Sequence, residues 1–221
     1  MFAKVSKKIR RLRHRLMPKK VVFSKIYHDN HWRGQNTVSG TGSDLIQTSA
    51  IRQEIPILLK RINAKSLLDA ACGDFNWMKE AKLDLEKYIG VDIVPELIAQ
   101  DQEKYGDGTR EFMNLDITKD DLPQVDLILC RDCLVHLPFK HIFAAIHNFK
   151  KSRSEYLLTT TFTELEKNKD IVTGRWRPLN FQLPPFGFPK PIRLIDEKCT
   201  EKDGKYSDKR LALWKLEDIL P

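Results

Sequence analysis

Four carboxylates recur along the middle of the chain, each at or just past the end of a short apolar run: Asp69, Asp92, Asp116 and Asp132. An ionised carboxylate only accepts hydrogen bonds. A row of them at successive strand ends therefore suits a ligand rich in hydroxyl and amino donors. The first lies in Asp69-Ala-Ala-Cys-Gly-Asp-Phe75, where the small Ala71 and Gly73 let a ligand approach the backbone. Asp92 ends the second run, the place from which an acidic residue holds ribose hydroxyls in nucleotide-binding sheets. Each carboxylate also has a purely structural use. Asp69 could hold backbone amides, Asp92 could cap the helix before Pro95, and Asp116 could cap a turn at Thr118. Cys130-x-x-Cys133 has the spacing of half a zinc site or of a redox pair. Zinc needs two further ligands, and Cys72 with His136 makes a poor second half. The pair reads better as cysteines packed at a buried strand end.

The elements that must position these groups alternate. Ser66–Ala71, Tyr88–Asp92, Glu111–Asp116, Val125–Cys130 and Glu155–Thr161 read as five short strands. A helix capped by Ser43 and running to about Ile62 precedes them, and further helices open at Pro95 and cover about Phe139–Lys150. Strand and helix at this spacing predict an α/β fold with a doubly wound, mostly parallel sheet and helices on both faces. In such sheets the ligand lies beyond the carboxyl ends of the strands. Ile192–Ile195 and Arg210–Leu216 look like an antiparallel edge pair closing the sheet.

The chain has 221 residues and a net charge of +8. Nine of the 38 basic residues fall in residues 1–20, which hold no acidic residue. The rest is nearly neutral, which weakens any reading in which the body grips nucleic acid. Within the arm Phe2, Val5, Ile9, Leu12 and Leu16 recur at helical spacing among cations, and Pro18 stops the pattern. A basic amphipathic helix fits an anionic membrane surface, a partner or its own domain. The expected organisation is thus an arm over 1–20 and one domain over 21–221. Four cysteines are too few for a disulfide scaffold, so the predicted location is the cytoplasm, with the inner face of the membrane open to the arm. The sequence leaves the oligomeric state open.

These residues resemble the class I S-adenosylmethionine-dependent methyltransferases, over about Ser43 to Thr161. Ala71 and Phe75 stand where glycines are common in that family's first motif. With Phe23–Trp32 before it and Thr159–Thr163 after it, the stretch is similar to a group of small bacterial methyltransferases. The resemblance implies a seven-stranded Rossmann-like sheet and S-adenosylmethionine as cofactor. It implies Asp69, Ala71, Cys72, Gly73, Asp92, Ile93, Asp116, Ile117 and Arg131 as the residues that bind it. Asp69 and Gly73 would line its methionine part and Asp92 would accept from both ribose hydroxyls. Asp116 would accept from the adenine amino group, between Ile93 and Ile117. The segment Cys130–Leu137 would pass the reactive sulfonium.

Methyl transfer is an in-line displacement, and a hydroxyl acceptor also needs a base. Candidates are His136 and Asp132, with His28 and His31 behind them; His136 has a suitable intrinsic pKa. Base methylation of nucleic acid is disfavoured: the Asn/Asp-Pro-Pro-aromatic motif is missing after strand four, and Cys130 lacks a preceding proline. Two inserts could select an acceptor. One is 23–43, with Trp32; the other is 162–191, with Trp176, Arg177, Asn180 and five prolines. The expected function is methyl transfer, on oxygen, to a small-molecule or glycan-type acceptor; the alternative is a catalytically silent binding subunit of the same fold.

Overall fold

The computed structural model describes residues 17–220. The arm up to Leu16, and with it the expected amphipathic helix, lies outside the described residues. Pro18 stands immediately before a helix. Helix α1 (Lys19–His28) starts at the next residue, where proline's fixed φ is compatible with helix entry.

Helix α2 (Ser49–Arg61), with Thr48 at its N-cap position, begins five residues later than a helix capped by Ser43 would. Ser43 instead closes a single 3₁₀ turn, Thr41–Ser43. Thr48 turns its hydroxyl back to the Asp44 carbonyl, 3.1 Å away, so no side chain caps the helix. Its apolar stripe of Ile51, Ile55, Leu58 and Leu59 is fully buried, in the spacing of one helix face.

Seven strands follow: β1 (Ser66–Ala70), β2 (Lys87–Asp92), β3 (Arg110–Asn114), β4 (Leu127–Cys130), β5 (Tyr156–Phe162), β6 (Arg193–Asp196) and β7 (Lys209–Lys215). They form one sheet in the order β3-β2-β1-β4-β5-β7-β6. The pairings from β3 through β5 are parallel; β7 is antiparallel to both of its neighbours. Strand order reverses between β1 and β4, where Asp69 is paired with Leu129. Helices α3 (Pro95–Tyr105) and α4 (Phe139–Lys151) complete the layers. On one face α4 presses Ile142, Ala145, Ile146 and Phe149 onto Leu68, Ile128 and Leu157. On the other, α2 covers Leu67, Leu127, Leu129 and Leu158. Each fully buried side chain of this size is worth about 1.5–3 kcal/mol.

No α-helix joins β1 to β2; a 3₁₀ turn at Met78–Glu80 stands there. Phe75 is the reason. It holds φ +54, a left-handed conformation that glycine adopts freely and a phenylalanine seldom does. Its ring offsets that cost by burial among Tyr88, Tyr105 and Phe112, with centroids 5.0–5.2 Å apart.

The phenylalanines of the 162–191 insert belong to the core. Phe181, Phe186 and Phe188 pack with Trp214 on the α4 face. Arg177 and Asn180, expected to read substrate, are buried structural ties. Arg177 donates to the carbonyls of Leu134, Leu137 and Lys169 at 2.6–3.1 Å. Asn180 exchanges hydrogen bonds with Asn168 through its backbone and donates its side-chain amide to the Leu165 carbonyl. Both bond to the backbone of neighbouring loops and neither lines a cavity, so the structure does not bring them to an acceptor site as expected.

Candidate active site

The strand ends surround a cavity lined by Asp69, Ala71, Cys72, Gly73, Asp92, Ile93, Arg131 and Asp132, with His136 at its edge. The sequence expected all of these here. Gly73 holds φ +59, and a side-chain carbon there would run into the Ser39 hydroxyl. Glycine is therefore needed both for the conformation and for the close approach. The next residue, Asp74, was overlooked as a site element. Its carboxylate accepts from the Thr37 and Ser39 hydroxyls and the Val38 amide at 2.9–3.1 Å. It thus clasps the 37–43 loop across the first turn, and Val38, Ser39 and Ser43 become cavity wall.

Asp69 is buried and accepts the Tyr88 hydroxyl at 2.8 Å. Burial pushes its carboxyl up to about 7, against the pull of that hydrogen bond. Asp92 accepts the Val94 amide at 3.0 Å through one oxygen, and burial raises it to about 6. Desolvation disfavours the charged form, and several carboxylates share one pocket, so the site favours a positively charged ligand.

Asp92 and Ile93 also face an adjoining slot with Leu115, Asp116, Ile117 and Leu137. β3 ends at Asn114, so Asp116 lies in the loop beyond it. One Asp116 oxygen takes the Thr118 amide and hydroxyl, as its capping use anticipated. The other pairs with Lys19 of α1 at 3.2 Å. Helix α1 was missed as a site element. Phe23, Ile26 and Tyr27 line the first cavity, and Lys19 and Phe23 the slot. A helix of ten residues with one buried side chain leaves little periodicity to detect.

Past β4 the chain makes a charged knot. Arg131 donates to Glu197 at 2.8 and 3.0 Å and to the Gly42 carbonyl at 2.8 Å. Arg131 therefore braces the cavity wall. Asp132 holds φ +50, a region in which aspartate is among the more tolerated residues. Its Oδ2 takes Lys209 Nζ at 2.5 Å, and Lys209 reaches Glu197 at 3.5 Å. Lys209 and Arg131 outweigh the cost of burial and hold the Asp132 carboxyl down at about 2. Nothing in the local sequence linked Lys209 or Glu197 to this site; the antiparallel return of β7 brings Lys209 back.

His136 stacks on Trp32, with centroids 4.5 Å apart and planes 28° apart. Its Nδ1 faces the Arg175 carbonyl at 3.1 Å. A carbonyl partner requires the proton on Nδ1 and leaves Nε2 as an acceptor. Burial pulls the imidazole down to about 4. A second cavity opens on the far side, lined by Trp32, Thr41, Asp132, His136, Phe162, Trp176, Glu201, Lys202, Tyr206 and Lys209. Trp32 and Trp176, expected to meet the acceptor, both line it.

The residues fit the cofactor that the fold implies. Asp92 faces both the cavity and the slot, and Ile93 and Ile117 make an apolar slot for a flat ring. Residues 67–153, from β1 to just past α4, match the family model described as a methyltransferase domain. Among solved structures, magnesium protoporphyrin IX methyltransferase from Synechocystis PCC 6803, solved with bound cofactor, is similar at a TM-score of 0.60. It is 14% identical, over 90% of this chain and 97% of that one. Human N-acetylserotonin methyltransferase gives 0.59 at 14% identity, over 90% and 60%. The Burkholderia thailandensis 1,6-didemethyltoxoflavin-N1-methyltransferase gives 0.58 at 14%, over 89% and 86%. No curated protein matches the chain in sequence. Match and fold agree: residues 67–153 match a methyltransferase domain, and the chain shares its fold with S-adenosylmethionine-dependent methyltransferases.

Among the described residues no helix is long and apolar enough to cross a membrane. Among the same residues no three or more His, Cys, Asp or Glu group to hold a metal. All four cysteines are free thiols.

Proposed function

We propose that the chain methylates a small-molecule or glycan-type acceptor, on oxygen, in the cavity between Trp32 and Trp176. One observation carries this reading. The cofactor cavity and the second cavity share Trp32, Ser39, Ser43, Asp132 and His136, so they meet where a methyl group would pass. S-adenosylmethionine supplies an electrophilic methyl group on a positively charged sulfur. This chain's residues supply position and proton handling. Asp92 would hold ribose hydroxyls, and Asp69 lies toward the cationic end. The Trp32, Trp176 and Tyr206 rings would hold the acceptor and exclude water. His136 Nε2 would take the hydroxyl proton while Nδ1 stays bonded to Arg175. Holding both reactants in line can account for a large share of the barrier reduction. The similar structures are named for small molecules, and the aromatic lining of this cavity suits a ring of that kind.

The test is a screen of small-molecule acceptors with S-adenosylmethionine, reading S-adenosylhomocysteine release and products heavier by one methylene. At least one acceptor should turn over, and His136→Ala should lower that turnover by ~10²–10⁴. The acid limb of the wild-type profile should lie near pH 4, the value to which burial pulls His136, and be absent from His136→Ala. No release with any acceptor, from protein that binds the cofactor, would favour the catalytically silent alternative.

A further inference from the structure

Helix α1 opens on two lysines, Lys19 and Lys20, with no acidic residue in its first turn. A cation there opposes the helix dipole, so helix stability gives no reason for Lys19. Its surroundings do. Lys19, Phe23, Ile26 and Tyr27 recur at i, i+4, i+7 and i+8, which is one helix face. That face lies over the cofactor site: Lys19 and Phe23 line the slot, and Phe23, Ile26 and Tyr27 line the first cavity. Neighbouring elements fix the helix in place. Val22 is buried against Gly174, where a side-chain carbon would lie 2.7 Å from it. Tyr27 donates to Gln100 Oε1 of α3 at 3.3 Å, and His28 Nε2 lies 3.6 Å from Glu96 of the same helix.

The slot is apolar at Ile93, Leu115, Ile117 and Leu137 and charged at Asp116 and Lys19. It shares Phe23, Ala71, Asp92, Ile93 and Cys133 with the first cavity, so a flat ring carried by a ligand of that cavity reaches it. Both charged groups line the slot, with side chains 16% and 10% exposed for Lys19 and Asp116. Each carboxylate oxygen accepts at about two positions. Those of Asp116 Oδ1 are filled by the Thr118 amide and hydroxyl at 3.0 and 2.8 Å. Oδ2 meets Lys19 Nζ at 3.2 Å and keeps one position open. An ammonium carries three donors, and this contact takes one. An open acceptor and open donors therefore stand side by side at the slot.

The adenine edge has the matching pattern. Its amino group donates, and the ring nitrogens on either side of that group accept. Resting on S-adenosylmethionine as the cofactor, we infer that Lys19 is a cofactor-binding residue: its ammonium donates to a ring nitrogen beside the adenine amino group, while Asp116 Oδ2 accepts from that amino group. Asp116 alone asks only for a donor. Lys19 adds the neighbouring contact, so the pair reads two adjacent positions of the ring instead of one. The second reader comes from a helix outside residues 67–153, the part that matches the methyltransferase domain. Helix α1 is thereby part of the cofactor site, and the site is incomplete without it.

The experiment titrates S-adenosylhomocysteine and its 1-deaza-adenine and 7-deaza-adenine analogues into the full chain by calorimetry. The analogue that lacks the nitrogen met by Lys19 should bind the wild type at least ~tenfold more weakly than S-adenosylhomocysteine, the scale of one hydrogen bond to a charged group. Lys19→Met should weaken S-adenosylhomocysteine by that factor and leave that analogue where it was, which closes the gap. Lys20→Met removes the same charge from the exposed neighbour and should change none of the three affinities. Equal binding of all three ligands by the wild type, or a gap that persists in folded Lys19→Met, would overturn the assignment. So would an equal loss for all three ligands in Lys19→Met, the mark of a lysine that only holds the helix. A wild type that takes up none of the three would count against the cofactor site itself, and the inference would fall with it.

Discussion

Asp69 keeps its proton near neutrality because the fold takes it out of water and gives it one hydroxyl partner, Tyr88. Its folded value of about 7 lies above the ordinary 3.8. Between those two values the folded chain holds a proton that the unfolded chain has released, so this group's contribution to stability falls as pH rises through that window. Asp92, at about 6, acts in the same direction. A cationic ligand prefers both carboxylates ionised. Affinity for S-adenosylmethionine should therefore rise from pH 6 to pH 8, with proton release visible as heats that change with the buffer's ionisation enthalpy. A flat affinity without proton release would detach Asp69 from the cationic end and Asp92 from the ribose. The carboxylates themselves were legible in the sequence because each ends a strand. Their charge states were not, since these depend on Tyr88 and on how deeply the sheet buries them. Lys209 was illegible for a related reason: it lies 77 residues from Asp132 in sequence and meets it only through the antiparallel return of β7.

At the scale of elements, the sheet and helices α2, α3 and α4 could be read from periodicity, because their burial is one-sided or complete. The misses lay where local sequence and tertiary demand part. Phe75 suggests a continuing strand or helix, but aromatic burial holds it in a glycine-like turn. Helix Lys19–His28, which opens just after Pro18, went unread. The 162–191 insert reads as a polar, aromatic binding loop, yet most of its rings complete the core. Arg177 shows why. Burial pulls its guanidinium down to about 10, and its donors tie the insert to the 134–137 turn that carries His136. Arg177→Ala should leave the Leu134, Leu137 and Lys169 carbonyls without this partner and cost about 2–4 kcal/mol, read as a lower midpoint in thermal or urea unfolding. Because His136 rides on that turn, turnover should fall while cofactor affinity holds. Unchanged stability would show that the insert is held by its phenylalanines alone.

For the whole molecule, strand order decides where chemistry can happen. The reversal between β1 and β4 opens the sheet at Asp69, Asp92 and Asp132. The N-terminal segment then closes over it through Asp74, through Lys19 on Asp116, and through Arg131 on Gly42. Two cavities meet at His136 and Asp132, and the proposed function assigns one to the methyl donor and one to the acceptor. That arrangement stands or falls with the donor side. The most direct measurement is calorimetric titration of S-adenosylmethionine into the wild type and Asp92→Ala, with circular dichroism to confirm that the variant is folded. Loss of hydrogen bonds to a charged acceptor costs ~1.5–3 kcal/mol each. The wild type should bind at a single site and Asp92→Ala at least ~tenfold more weakly. A wild type that does not bind, or a folded Asp92→Ala that binds as tightly, would contradict the account.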